Sequence, residues 1–343
     1  MNRSFRPPAR EALCVLVGAM VCGAACTPNN NVKPGAPELI EFTIVQAGPT
    51  ATTVKPDTPE CMNLIASGAA CLPMGSEGGD GGVMVPADAL CRDGVNNLWC
   101  NCVPDAADGT MGAWNCAPFT NVMAVIAVFD RLLDGTQLDP GDAAGLTDVV
   151  MATAGTPTVD MLTDYSSTGA PDGLIFNLFG PAFFGNFRAN GPSLYSTPQP
   201  IFPSDATISV SLDANKVRAK DGTTPFQGAG LLQSGTLIFT MAPYAATVTA
   251  PDAPTMDMPD PPISATVSFT NFTDPAGHIT ATANGAPVQV DFESMDGGAT
   301  FSVTPHSGSW PAGATIVVTV DATTENLGGQ AIAAAASTTF TAR

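Results

Sequence analysis

The strongest constraint on the fold is a pattern that occurs twice. Pro311-Ala-Gly-Ala-Thr-Ile-Val-Val-Thr-Val-Asp321 leads through the loop Glu325-Asn-Leu-Gly-Gly-Gln-Ala-Ile332 to Ser337-Thr-Thr-Phe-Thr341. Upstream, Pro203-Ser-Asp-Ala-Thr-Ile-Ser-Val-Ser-Leu212 leads through Val217-Arg-Ala-Lys-Asp-Gly222 to Gly235-Thr-Leu-Ile-Phe-Thr240. Each copy has a Pro-led turn, a strand alternating apolar residues with Thr or Ser, a Gly-containing loop, and a closing Thr/Phe strand. Alternation with period two buries one strand face and wets the other. Self-similarity on this scale marks a repeated architecture. The expected fold is all-β, with two tandem domains of one type.

The 343 residues allow roughly two domains at about 150 residues each. The 34 Gly and 31 Pro punctuate Val/Ile/Phe/Thr runs, which reads as many turns between short strands rather than disorder. A net charge of −19 with only 12 Lys and Arg, none forming a basic stripe, argues against nucleic acid as a partner.

At the N-terminus, Arg3, Arg6 and Arg10 precede an apolar run from Ala12 to Ala25 that is too short to span a bilayer, which takes about 20 apolar residues. This is the pattern of an export signal over residues 1–25. Gly23-Ala-Ala-Cys26 resembles the lipobox of bacterial lipoproteins. The resemblance implies cleavage before Cys26, lipidation of that residue, and attachment to the membrane through its acyl chains. Thr27 in place of Asp implies the outer membrane, with a periplasmic or surface-exposed chain and residues 26–37 as tether. Removal of three Arg and one Glu with the signal leaves a mature net charge of −21.

Cys14 and Cys22 leave with the signal. Six cysteines then remain besides Cys26: Cys61, Cys71, Cys91, Cys100, Cys102 and Cys116. An even, clustered set in an exported chain reads as about three disulfides, with 15 connectivities open. Cys100 and Cys102 are too close to pair with each other. Zinc is the rival reading, but there is no Cys-x-x-Cys pair, and His278 and His306 lie far along the chain. The segment around Ser76-Glu-Gly-Gly-Asp-Gly-Gly82 is too poor in aliphatic residues to hold itself together by burial. It reads as a stapled loop, at about 58–118, inserted into the first domain.

That domain spans 38–250. It opens on a strand carrying Leu39, Ile40, Phe42 and Ile44. Val122 to Phe129 is an apolar run that suits either a strand or a helix, and its Val/Ile content favours a strand before a turn at Asp134-Gly135. Leu146, Val149, Val150 and Met151 have the spacing of a short helix. Phe129-Asp-Arg-Leu-Leu-Asp134 resembles the Phe-Asp-x-x-Leu-Asp signature of the S-layer-type bacterial Ig-like domain, a β-sandwich repeat of surface proteins. The Pro203 and Pro311 stretches resemble that family's closing half. The resemblance implies two tandem Ig-like sandwiches in a cell-surface protein.

A Pro-rich stretch, 251–262, reads as a linker to a second domain over 263–343. There Ile263, Ala265, Val267 and Phe269 alternate with Ser and Thr, and Asn284-Gly285 is a type I′ hairpin signal.

The chain lacks a Gly-x-Ser-x-Gly elbow, a His-Glu-x-x-His pair and a phosphate-binding loop. His306 beside Ser307 and Ser309 is adjacency rather than triad geometry. Asp221, Asp291 and Asp296 could ligate calcium, but no spacing resembles a dedicated loop. The expectation is a non-enzymatic envelope protein, without cofactor or resident metal, acting as a spacer or an adhesion/assembly module with a protein or glycan partner. The alternative is a Ca-dependent or glycan-binding surface protein using the aromatic stretch from Leu174 to Phe187 or the Cys-rich segment. Phe176, Phe179, Phe183 and Phe184 in that stretch are read first as core packing, because Phe lacks the polar handle of Tyr and Trp.

Overall fold

A computed structural model describes residues 35–48, 50–55, 58, 71–73, 83–85, 90–104, 112–138, 149–169, 189–221, 226, 235–251 and 264–342. The export signal, Cys26, Cys61 and the stretch from Leu174 to Phe187 lie outside them. The described chain is all-β. Its one helical element is a four-residue turn, α1 (Gly135–Leu138), which begins where the sequence suggests only a reversal.

The first β body is an antiparallel sheet of eight strands. They are β1 (Leu39–Gln46), β2 (Thr50–Val54), β8 (Val122–Phe129), β9 (Val150–Ala154), β10 (Thr158–Ser166), β11 (Ser193–Gln199), β12 (Thr207–Leu212) and β13 (Thr236–Thr240). Their order is β13-β12-β9-β10-β11-β8-β1-β2. Strand β10 joins two halves of the sheet: Thr158 and Val159 pair with β9, and Asp160 to Ser166 pair with β11. A strand shared in this way lets a sheet turn a corner and fold over itself. One core results, with Phe42, Ile44, Val125 and Phe129 from one half and Ala152, Ile208, Val210 and Phe239 from the other.

Residues 149–154 are thus strand rather than helix. Ala152 enters the core while Met151 is exposed, so period two wins over the helical spacing.

Strand β8 is buried on both faces, which explains its unbroken apolar run. Between Val45 and Gln46 of β1 the register to β8 slips by one residue. This bulge turns both Met123 and Ala124 away from the main core, into a second cluster with Val45, Ile126, Ile201 and Phe272.

The Cys-rich segment is a sheet of its own, which corrects the expectation of a stapled loop. Strands β3 (Cys71–Pro73), β4 (Val83–Val85), β5 (Leu90–Asp93), β6 (Leu98–Pro104) and β7 (Gly112–Ala117) take the order β4-β3-β7-β6-β5. Disulfides Cys71–Cys102 and Cys100–Cys116 bridge its strands, and Cys91 is disulfide-bonded as well. This sheet covers the edge strand β13. Trp99 is buried in the main core and its Nε1–H donates to the Ile238 carbonyl at 2.9 Å, while Thr240 Oγ1 donates to the Asn96 carbonyl at 2.9 Å. An exposed edge that would otherwise invite pairing is closed.

The second body consists of two four-stranded antiparallel sheets enclosing one core. One has the order β14 (Ala246–Thr249), β15 (Ala265–Phe269), β19 (Thr300–Pro305), β18 (Val290–Ser294). The other runs β17 (Ala286–Val288), β16 (Ile279–Ala283), β20 (Thr315–Val320), β21 (Ala336–Thr341). Val267, Phe269, Phe301 and Val303 meet Ile279, Ile316, Val318 and Val320 in that core. Asn284 and Gly285, at φ 50° and 83°, form the β16–β17 turn that the Asn-Gly pair predicts.

Strand β14 precedes the Pro-rich stretch and pairs across it, Thr249 with Thr266 and Ala246 with Phe269. Residues 251–262 therefore stand in the chain between two partners of one hairpin. The passage from the first body to the second falls at Met241–Ala245.

The repeated sequence pattern maps onto equivalent elements. In both copies the Pro-led strand pairs antiparallel with the Thr/Phe strand, β12 with β13 and β20 with β21. In both, the loop between them bridges back to the segment after a core strand, Ala219 to Leu133 and Asn326 to Thr273.

Candidate functional site

Among the described residues, buried polar side chains line the paired strands β10 and β11 (Thr163, Ser166, Ser193, Ser196 and Thr197), and two further groups sit in the bridging loops of the repeat. The first surrounds Arg131, in the segment that resembles the Ig-like signature. Its guanidinium forks onto Asp130, Nε to Oδ1 at 2.8 Å and Nη2 to Oδ2 at 2.7 Å, with both side chains largely buried. Asp130 Oδ1 also accepts the Glu38 backbone N–H at 2.9 Å, and Glu38 returns its carbonyl to the Asp130 N–H. The hydrogen bond to Asp130 raises the Arg131 pKa, with the charges of Asp130, Glu38 and Asp221 adding to it against the desolvation that lowers it. Leu133 and Asp134 are held by the Tyr165 hydroxyl and the Arg218 carbonyl, and Lys220 N–H donates to the Leu132 carbonyl. These bonds close the end of the first body where the chain enters. Asp221 contributes its charge to this cluster.

The second place is the joint between the bodies. Ser204, in the Pro-led turn of the first body, meets Asn271, Asn326 and Gln330 of the second. Asn271 is fully buried, and its Nδ2 donates to the Phe202 carbonyl at 2.9 Å and to Ser204 Oγ at 2.8 Å. Ser204 N–H donates to Gln330 Oε1 at 2.7 Å, and Gln330 Nε2 returns a bond to the Ser204 carbonyl at 3.2 Å. Asn326 holds Gln330 in place, accepting its backbone N–H at Oδ1 and donating from Nδ2 to its Oε1. Asn121, at φ 49°, adds a bond from Nδ2 to the Phe269 carbonyl, and its backbone N–H donates to Thr270. Tyr244 and Thr273 extend the network at 2.7 Å. Burial of the Tyr244 hydroxyl raises its pKa, with the bond to Thr273 opposing.

Buried amides and carbonyls that satisfy one another are strong in a low-dielectric interior and costly to part, because each would be left without a partner. Beside the network the contact is apolar: Met123 and Ile201 pack on Phe272. An apolar cleft of about 100 Å³ remains in this contact, lined by Val122, Met123, Pro200, Ile201, Phe272 and Leu327. At Gly328 a Cβ would lie 3.4 Å from Ile201, so this loop packs against the first body.

The joint also fixes direction. Strand β1 enters at Leu39, beside Arg131, and reaches the joint at Gln46, whose Nε2 donates to the Thr120 carbonyl. Eight residues at about 3.3 Å each separate these ends. In the second body Phe269 and Asn326 lie at the joint, while Ala265, Thr315 and the Asn284–Gly285 turn lie at the other ends of their strands.

The remaining candidates are dispersed. His306 Nδ1 lies 3.0 Å from Asp291 Oδ1 in an exposed pair, and Ser307 Oγ is turned to the Ser309 carbonyl rather than to the imidazole. Asp296 Oδ1 accepts the N–H groups of Ala299 and Thr300 and closes a turn. Among the described residues no group of three or more His, Cys, Asp or Glu is gathered in a way that could hold a metal ion.

Nothing in the sequence singles out Asn271 or Gln330. Ser204 and Asn326 stand inside the repeated pattern, but their pairing crosses from one copy to the other, and no periodicity records that. No family model and no curated protein matches this chain.

Proposed function

We propose that this chain is a non-enzymatic, lipid-anchored protein of the bacterial outer membrane, in which two Ig-like β domains act as a rigid spacer or an adhesion/assembly module. The observation that carries the reading is the joint: two bodies with separate cores are locked through Ser204, Asn271, Asn326 and Gln330 and through an apolar contact. At the joint Ser204 of the first body bonds to the side chains of Asn271, Asn326 and Gln330 of the second. The lipobox-like Gly23-Ala-Ala-Cys26 supports anchoring through a lipid on Cys26.

The test is the intact mass of the mature protein, extracted from membranes without reductant, beside a Cys26→Ser variant. The proposal expects a chain beginning at Cys26 with added acyl mass, six further cysteines oxidised, and release of the variant from the membrane. An unmodified start with unchanged membrane association would refute the anchor.

A further inference from the structure

We infer that the apolar cleft at the joint is a docking point for a partner segment in which an aliphatic side chain is flanked by Lys or Arg. The inference rests on the assembly-module reading and names the chemistry of the partner.

Three features select that occupant. The cleft is apolar and open, Leu327 on its lip is 53% exposed, and Met295, two residues before the lining Gly297, is 65% exposed. Its volume, about 100 Å³, is somewhat below the roughly 150 Å³ of an apolar cavity that binds benzene, and so suits one branched aliphatic side chain. Each of the second body's three loops that reach it also carries a carboxylate: Asp274 after Phe272, Asp296 before Gly297, and Glu325 before Leu327. Between 221 and 342 there are ten Asp and Glu and no Lys or Arg, so this rim has no cationic counterpart in its own body.

An apolar hole rimmed by one sign of charge rewards an apolar anchor with charges of the opposite sign beside it. The hole supplies affinity, and the rim supplies steering and rejection of anionic competitors. A second copy of this chain fits poorly, because at a net charge of −19 it would bring more carboxylates to the same rim. Both bodies line the cleft, so it exists only while the joint is closed.

The probe is the amidated peptide Lys-Lys-Leu-Leu-Lys-Lys, titrated into the full mature chain carrying ¹³C-methyl methionine. Glu-Glu-Leu-Leu-Glu-Glu and Lys-Lys-Ser-Ser-Lys-Lys are the controls. The inference expects saturable shifts of the Met123 and Met295 methyls with the first peptide alone, at least tenfold weaker at 0.5 M salt. Leu327→Ser should weaken binding at least tenfold, and Asp274→Asn with Glu325→Gln should remove most of the salt dependence. No saturable shift, equal shifts with either control, or concentration-dependent shifts without peptide would each overturn it. The last would mean that the cleft takes another copy of the chain. Small-angle scattering on the same samples reports the joint separately, so loss of peptide binding with an unchanged envelope refutes the docking site and leaves the spacer reading standing.

Discussion

Replacing Asn271 by alanine is the sharpest perturbation of the joint. The side chain is fully buried and makes three bonds: Nδ2 to the Phe202 carbonyl, Nδ2 to Ser204 Oγ, and Oδ1 from the Phe272 N–H. Ser204 Oγ keeps a longer bond from Asn326 Nδ2 at 3.4 Å. The Phe202 carbonyl and the Phe272 N–H lose their partners among the described residues, at about 1–3 kcal/mol for each buried group left unsatisfied, so Asn271→Ala should cost about 2–5 kcal/mol. Urea unfolding followed by tryptophan fluorescence reads this, since Trp310 is buried in the second body's core. The midpoint should fall with the denaturant slope unchanged. Asn271→Asp is the companion. As a carboxylate it faces the Phe202 carbonyl with no proton to donate, and only its protonated form can restore that bond, so this variant should regain stability on acidification where Asn271→Ala does not. A loss for Asn271→Ala below about 0.5 kcal/mol, the range of ordinary surface substitutions, would show that the network does not hold the bodies together.

Three further outcomes are expected. Trp99→Phe removes the indole bond to Ile238 while keeping most of the apolar surface, so it should cost about 1 kcal/mol and raise hydrogen exchange along β13 ahead of the central strands; unchanged β13 protection would contradict the edge-covering role. Burial raises the Tyr165 pKa, so the folded state holds that proton more tightly than the unfolded chain, and this contribution is present below pH 10 and lost as pH rises above it. The thermal midpoint should fall between pH 9 and 11, and Tyr165→Phe should shallow that slope, with an unaltered slope counting against it. Replacing Cys100 and Cys116 together by serine should destabilise the small sheet by about 2–4 kcal/mol, the usual contribution of a disulfide, and expose β13 to proteolysis, while the second body keeps its own midpoint.

Much of the strand pattern is legible in the sequence because the physics there is local. The alternation in Ala265–Phe269 and Thr315–Val320, the Asn284–Gly285 turn and the two-fold Pro-strand-loop-strand motif each declare a face or a reversal within a few residues. What stays hidden is set by partners distant in the chain. Val149 to Met151 match a helical spacing by accident of composition, and only pairing with Leu212 and Ser211 makes them strand. The Cys-rich segment looks too poor in aliphatics to build a sheet, yet it borrows the first body's core through Trp99. The Pro-rich stretch has linker composition although it stands between hairpin partners. The joint is the extreme case: Ser204 and Gln330 are 126 residues apart, and each is an ordinary polar loop residue until the bodies meet.

The most direct test of the rigid two-body account is small-angle X-ray scattering of the mature chain beside an Asn271→Ala, Gln330→Ala double variant. The account predicts a wild-type distance distribution that fits one fixed arrangement of the two bodies and does not change with salt. It predicts that the double variant broadens that distribution and lengthens its maximum dimension. A wild-type profile that only an ensemble of orientations can fit, or a double variant that scatters identically, would contradict it.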